Sequence, residues 1–296
     1  MKLKFSLSLA LVMLIASFTT FAAKDKKPDP KFHIYLAIGQ SNMEGGDRPQ
    51  PQDTLFSDAR LRMMAAVDMP KQNRSMGHWY FAKPPLNRGE NNIGIVDFFG
   101  RTLIQNMPKS YRVGLINVSV AGAKIELWEK DTYKTYLDSA ETWMQNMCKQ
   151  YDGNPYKRLV EVARIAQKDG VIKGIIMHQG ESNTTDKEWP KKVKGIYDNL
   201  IKDLNLNPKE VPLLAGELKS AEENGKCASF NTEVLPNLPL TLPNSYIISS
   251  QGVKGSKDAY HFVLEGYREF GRRFAVQMLK LKGFKYKAPK TLNASK

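Results

Sequence analysis

The stretch Ile34-Tyr-Leu-Ala-Ile38-Gly39-Gln40-Ser41-Asn42-Met43-Glu44-Gly45-Gly46 is an apolar run that stops at glycine and then presents a serine. An apolar run of this length ending at Gly39 reads as a buried strand, and Gly39-Gln-Ser-Asn42 reads as the tight turn leaving its carboxyl end. A hydroxyl at that point sits on the rim of a sheet, where open α/β folds hold their ligands. A serine after a strand also serves as a helix cap, so the remainder of the chain decides between the two readings.

Outward from this turn the same pattern recurs. Residues 111–120 read as a second buried strand, closed by the turn Ala121-Gly122-Ala123. Residues 171–177 form a third, which stops at His178-Gln179-Gly180-Glu181-Ser182-Asn183. Residues 211–216 and 245–250 supply a fourth and a fifth. Helical spacing occupies 95–106, 132–150, 155–169, 186–204, 229–238 and 265–281, with Pro155 at a helix start, where a missing amide proton matters least. Residues 58–67 fit a helix or a strand. Residues 71–92, rich in Pro, Asn, Gly and aromatics, form a long irregular excursion expected to wall the site. Alternating strands and helices imply right-handed crossovers. The prediction is one three-layer α/β/α domain with a mainly parallel five-stranded sheet.

The chain has 296 residues, 42% of them hydrophobic, enough to bury a core. Residues 1–23 carry Lys2 and Lys4, an apolar stretch over 7–18 and the small-residue ending Thr20-Phe-Ala-Ala23, the layout of a secretory signal peptide. The apolar part is short for a membrane span, and no lipid-accepting cysteine follows. The expected product is secreted or periplasmic, without a membrane anchor after cleavage. It begins with a solvated leader, 24–31, continues as the domain proper, 32–282, and ends in a basic tail, 283–296. Cleavage removes two of the +14 formal charges with Lys2 and Lys4 and leaves the chain basic. The lysines are scattered, with no aromatic-interleaved motif, and read as a solvated surface rather than as a nucleic-acid site. Cys148 and Cys227 leave one disulfide or two free thiols open. Four histidines without ligand-like spacing predict no metal site.

The polar strand ends bring chemistry together. In a doubly wound sheet the carboxyl ends of parallel strands share one edge, so Ser41, Gly122, Gln179 with Glu181, and Asp258-Ala-Tyr-His261 are expected to converge. Acyl transfer needs a nucleophile, a base within hydrogen-bond reach, an acid that orients the base, and donors for the oxyanion. Ser41 supplies the hydroxyl and His261 the base, and Asp258 three residues earlier suits the orienting acid. The backbone amides of Ser41 and Gly122 and the side-chain amide of Gln179 are the predicted oxyanion donors. His178 reads as a structural histidine, and no organic cofactor is required.

These four blocks resemble the SGNH hydrolase superfamily, and within it the carbohydrate acetylesterase branch of family-six acetylxylan esterases and sialate O-acetylesterase-like proteins. The matching pieces are Gly39-Gln-Ser-Asn-Met-Glu-Gly45, Val118-Ser-Val-Ala-Gly-Ala-Lys-Ile-Glu-Leu-Trp128, His178-Gln-Gly-Glu-Ser-Asn183 and Asp258-Ala-Tyr-His-Phe262, in family order. The second block has Ala121-Gly122-Ala123 where many relatives resemble Gly-Gly-Thr or Gly-Gly-Ser. The resemblance implies a flavodoxin-like fold, Ser41 as nucleophile, His261 as base, and Ser41, Gly122 and Gln179 as oxyanion donors. It leaves open whether Asp258 or Glu181 orients His261. It also implies an acetylated carbohydrate as substrate, with acetylated xylan or a related polysaccharide as the expected case and acetylated sialic acid as the alternative. A non-catalytic carbohydrate-binding protein of the same fold is the reading from another class. Asn42, Trp128 and Trp79 are candidate substrate contacts.

Overall fold

The computed structural model describes residues 27–90 and 92–288, so the proposed signal peptide and the end of the basic tail lie outside the described residues. The centre of the fold is β1 (Phe32–Gly39), whose eight residues are all buried. An unbroken buried run of this kind belongs to a parallel strand covered on both faces. Its neighbours are β4 (Arg112–Ser119) and β5 (Val171–His178), both parallel to it, with Gly39 level with Ser119 on one side and with His178 on the other. The remaining strands are β2 (Leu61–Met64), β3 (Trp79–Phe81), β6 (Leu213–Gly216) and β7 (Ser245–Ile248), giving the order β3-β2-β4-β1-β5-β6-β7.

The sheet therefore has seven strands where five were expected. The additions are β2, which settles the ambiguous segment 58–67, and β3, which pairs antiparallel with it at the edge. β3 lies inside the excursion 71–92 and is three half-exposed residues long, too short to mark itself by an apolar run.

Six helices matter for the site: α1 (Ser41–Glu44), α2 (Ile95–Asn106), α3 (Thr142–Lys149), α4 (Pro155–Ala166), α5 (Trp189–Asp203) and α6 (Leu264–Leu281). They cover both faces of the sheet. Tyr35 meets Phe99 of α2 edge to face at 5.3 Å, whereas Ile38, three residues on and so on the opposite face, gathers with Tyr156 and Leu159 of α4 and Ile196 of α5. α4 starts as its sequence dictates, with Pro155 in its first turn and the Asn154 side chain accepting the Lys157 N–H at 2.9 Å. The predicted helix over 132–150 is broken in two, Tyr133–Asp138 and α3. Likewise 229–238 holds only short helical turns.

Cys148 and Cys227 are both free and buried. Burial pushes the Cys148 thiol up to about 11, which makes it a poor nucleophile. No helix among the described residues is long and apolar enough to cross a membrane.

At the top of β1 the backbones of β1 and β5 pass so closely that a Cβ on Gly39 would stand 2.2 Å from the His178 carbonyl oxygen. Gly39→Ala is expected to lower the unfolding free energy by about 1–3 kcal/mol through overpacking, read from the shift in denaturation midpoint. An unchanged midpoint would show that the strands part without penalty.

Candidate active site

Ser41 opens α1, directly after β1, with its amide N–H among the orphan donors of a first helical turn. Its hydroxyl donates to His261 Nε2 at 2.8 Å. On the other side of the ring, His261 Nδ1–H donates to Asp258 Oδ1 at 3.1 Å. The two contacts fix the tautomer, since a carboxylate only accepts and the imidazole nitrogen facing Ser41 must then carry its lone pair.

Asp258 is held as an anion. Partial burial works against the charge. That effect is outweighed by hydrogen bonds from Ser256 Oγ at 2.7 Å and from the amides of Tyr260 and His261 at 2.8 Å each, and the carboxyl lies well below the usual carboxylate range. The loop itself is anchored from beneath. Lys219, only 2% exposed, donates through Nζ to the carbonyls of Ser256 at 2.8 Å and Asp258 at 2.5 Å.

Asn42, the residue after the serine, is fully buried and has every polar atom engaged. Its Nδ2 donates to Glu181 Oε1 at 2.9 Å and to the Tyr260 carbonyl at 3.1 Å, and its Oδ1 accepts from the Tyr267 hydroxyl at 3.0 Å. Asn42 thus ties the turn after β1 to the loop carrying His261 and to α6, and it is a strut rather than a substrate contact. Glu181 meets Asn42 and, at 3.7 Å, His178 Nδ1, while its Oε2 is buried without a hydrogen-bond partner. The carboxylate hydrogen-bonded to His261 is Asp258. His178 is buried in the sheet, with Nε2 facing the Glu217 carbonyl at 3.0 Å, and its burial lowers its proton affinity.

The turn after β4 presents Gly122 in the left-handed region, at φ +68°. Its amide makes no hydrogen bond among the described residues. The preceding amide, Ala121 N–H, donates to Glu44 Oε1 at 2.8 Å. Glu44 closes α1 and also pairs with Arg88, both side chains being about 6% exposed. One carboxylate therefore links the helix of Ser41 to the turn of Gly122. The excursion 71–92, expected as a wall, backs the site from below through Arg88 and through Asn87, which donates to the Ser119 carbonyl at 3.1 Å.

Gln179 departs from expectation. Its Nε2 donates to Asn183 Oδ1 at 2.7 Å and to the Ala123 carbonyl at 3.1 Å, and its Oε1 accepts the Trp189 indole N–H. An amide with both hydrogens used and 3% exposure is a buried brace with no donor left for the cavity. The two tryptophans expected as substrate contacts lie elsewhere. Trp79 sits on β3 against Phe32, at the end of β1 remote from Ser41, and Trp128 is buried at 3% in the core.

Ser41 and His261 floor an open cavity of about 360 Å³, with Gly122, Glu181, Ser182 and Tyr260 around them and no lysine or arginine in its lining. Two of its aromatic neighbours were not named as site residues from the sequence, although Tyr260 lies within the Asp258-Ala-Tyr-His261 stretch. Tyr260 is 37% exposed and edges the His261 ring, and Trp143 of α3, 51% exposed, leans over Gly122. An exposed aromatic side chain has no periodicity by which a single sequence marks it.

A serine hydroxyl, a histidine and an aspartate in line at the carboxyl edge of a parallel sheet define a site of the serine-esterase class. The family model for carbohydrate esterases described as sialic acid-specific acetylesterases matches residues 31–280. The chain belongs to that family, within the SGNH carbohydrate acetylesterase branch, and is a carboxylic ester hydrolase. Solved structures similar in fold include a protein from Arabidopsis thaliana, 21% identical over 85% of this chain and 99% of that one, with a TM-score of 0.64. NanS is 16% identical over 86% of this chain and 98% of its own, with a TM-score of 0.61. XAC1771, a carbohydrate acetylesterase from Xanthomonas citri, is 20% identical over 84% of this chain and 56% of its own, with a TM-score of 0.58.

Glu44→Ala is expected to lower the unfolding free energy by about 3–5 kcal/mol, because it removes the carboxylate beside a buried guanidinium. Glu44→Leu combined with Arg88→Met is expected to recover most of that loss. Chemical denaturation of the single and double variants checks both, and a double variant no more stable than the single one would contradict the pairing.

Proposed function

We propose that this chain is an exported serine esterase that removes O-acetyl groups from carbohydrate through an acetyl-enzyme. The observation that carries the reading is the line from Ser41 Oγ to His261 Nε2, 2.8 Å, and from Nδ1 to Asp258, 3.1 Å, on the floor of an open cavity. Ser41 Oγ attacks the acetyl carbonyl and gives its proton to His261 Nε2. The oxygen of the tetrahedral intermediate faces the amides of Ser41 and Gly122, and Asp258 stabilises the imidazolium. His261 then protonates the departing sugar oxygen and leaves an acetyl ester on Ser41. Water, deprotonated by the same nitrogen, releases acetate and restores the serine.

Acetylated xylan or a related neutral glycan is the preferred substrate over acetylated sialic acid. What supports this choice is the lining, which offers no cation to a sugar carboxylate and holds the buried carboxyl group of Glu181. In this reading the signal peptide 1–23 directs export, and 32–282 is the catalytic unit.

Ser41→Ala is expected to abolish acetate release from acetylated xylan. Asp258→Asn is expected to reduce kcat by about 10³- to 10⁴-fold with KM little changed, since the wrong tautomer is then favoured. Glu181→Gln is expected to reduce it by less than tenfold, in keeping with a carboxylate that touches Asn42 rather than His261. Near-normal turnover in Asp258→Asn alongside a dead Glu181→Gln would transfer the orienting role to Glu181.

A further inference from the structure

Leaving an indole half in water forfeits part of the roughly 1.5–3 kcal/mol that burying a large apolar side chain contributes, so exposed aromatics are worth explaining. Among the described residues the exposed large hydrophobic side chains are Leu55, Phe81, Trp143, Leu240 and Tyr260. Phe81 is covered by the Arg62 guanidinium at 4.2 Å from its ring centre. Leu55 and Leu240 stand on short surface helices. Trp143 and Tyr260 alone adjoin the candidate active site, and they reach it from unrelated parts of the chain.

Tyr260 comes from the loop of Asp258 and His261. It lines the cavity beside Ser41, and its carbonyl is pinned by Asn42. Trp143 comes from α3, in the segment between β4 and α4 that adds no strand to the sheet. Its indole lies over the oxyanion turn so closely that a Cβ on Gly122 would stand 2.8 Å from Cη2. The neighbouring Met144 is 3% exposed and anchors the helix, so the indole is offered to solvent by a fixed backbone.

We propose that Trp143 is a sugar-binding subsite that stacks a neutral pyranose flanking the acetylated one. The inference rests on the esterase reading above and adds to it which part of the glycan is held. His261 Nε2 hands its proton to the leaving sugar oxygen, so the acetylated ring lies on the His261 side, against Tyr260. Trp143 stands on the oxyanion side, over Gly122, where a neighbouring sugar of the same chain meets it. A pyranose turns a face of C–H groups toward an aromatic ring and keeps its hydroxyls in water, which suits an indole half exposed at an open mouth. The adjoining cavity floored by Ser41 and His261 has no lysine or arginine in its lining, which favours a neutral glycan chain over an anionic one.

The test compares acetylated xylotriose with acetylated methyl xyloside. Trp143→Ala is expected to lower the ratio of their kcat/KM values about tenfold, worth about 1.4 kcal/mol, with Trp143→Phe intermediate. Tyr260→Ala is expected to lower both values together. A ratio within twofold of the unmodified enzyme in Trp143→Ala overturns the subsite. A second arm needs no chemistry. In Ser41→Ala, unacetylated xylotriose is expected to change the tryptophan fluorescence, and Ser41→Ala with Trp143→Phe is expected to lose that change. No change in the first protein, persistence of the change in the second, or the same response only to sialic acid each overturns the proposal. Because this arm reads binding in a protein without the nucleophile, it separates failure of the subsite from failure of the esterase reading.

Discussion

The hydrogen bond from Ser41 to His261 joins residues 220 positions apart, and most of the surrounding structure serves to hold its two ends at 2.8 Å. One end is set by β1, whose eight buried residues deliver Gly39 level with His178, so that Ser41 leaves the sheet at a fixed point. The other end has no strand to fix it. The loop from Ser256 to His261 is held by the Asp258 carboxylate collecting three N–H or O–H donors besides the His261 ring, by Lys219 gripping two carbonyls below, and by Asn42 gripping the Tyr260 carbonyl from the side of Ser41. The loop itself is half-exposed, whereas Lys219 and Asn42 are buried, and the cost of leaving those two polar side chains unmatched ties the loop to them.

The same logic binds the turn of Gly122. Glu44 lies on the helix that Ser41 opens, and its carboxylate receives the Ala121 amide, so Ser41 and the turn of Gly122 share one connection. Burying a carboxylate and a guanidinium together is weak as a source of stability. Its effect is one of placement, because the next amide along the turn, that of Gly122, makes no hydrogen bond among the described residues, and Gly122 lines the cavity.

What the sequence made legible follows from what a chain of side chains can announce. Buried parallel strands declare themselves as apolar runs, and β1, β4 and β5 with their terminal turns were readable for that reason; so was the spacing of Asp258 and His261, a local geometry. The edge strands β2 and β3 were not, since four and three residues beside an irregular excursion make no pattern. Side-chain direction was the other loss. Gln179 occupies the expected strand end, but its orientation is set by Trp189, ten residues later, and by Asn183. Trp79 stayed a candidate because strand periodicity does not reveal which end of the sheet a residue occupies, and Trp143 was not singled out because an exposed ring leaves no trace in a hydrophobic pattern.

The central claim is that Ser41 carries the acyl group between the two halves of the reaction. Rapid mixing with an aryl acetate under conditions of slow deacylation, followed by acid quench and peptide mass analysis, reads this directly. The account gives a burst of one equivalent of phenol per enzyme and one acetyl group on the peptide containing Ser41. Turnover of the same ester with no acetyl group on that peptide, or with the label on another residue, would contradict it.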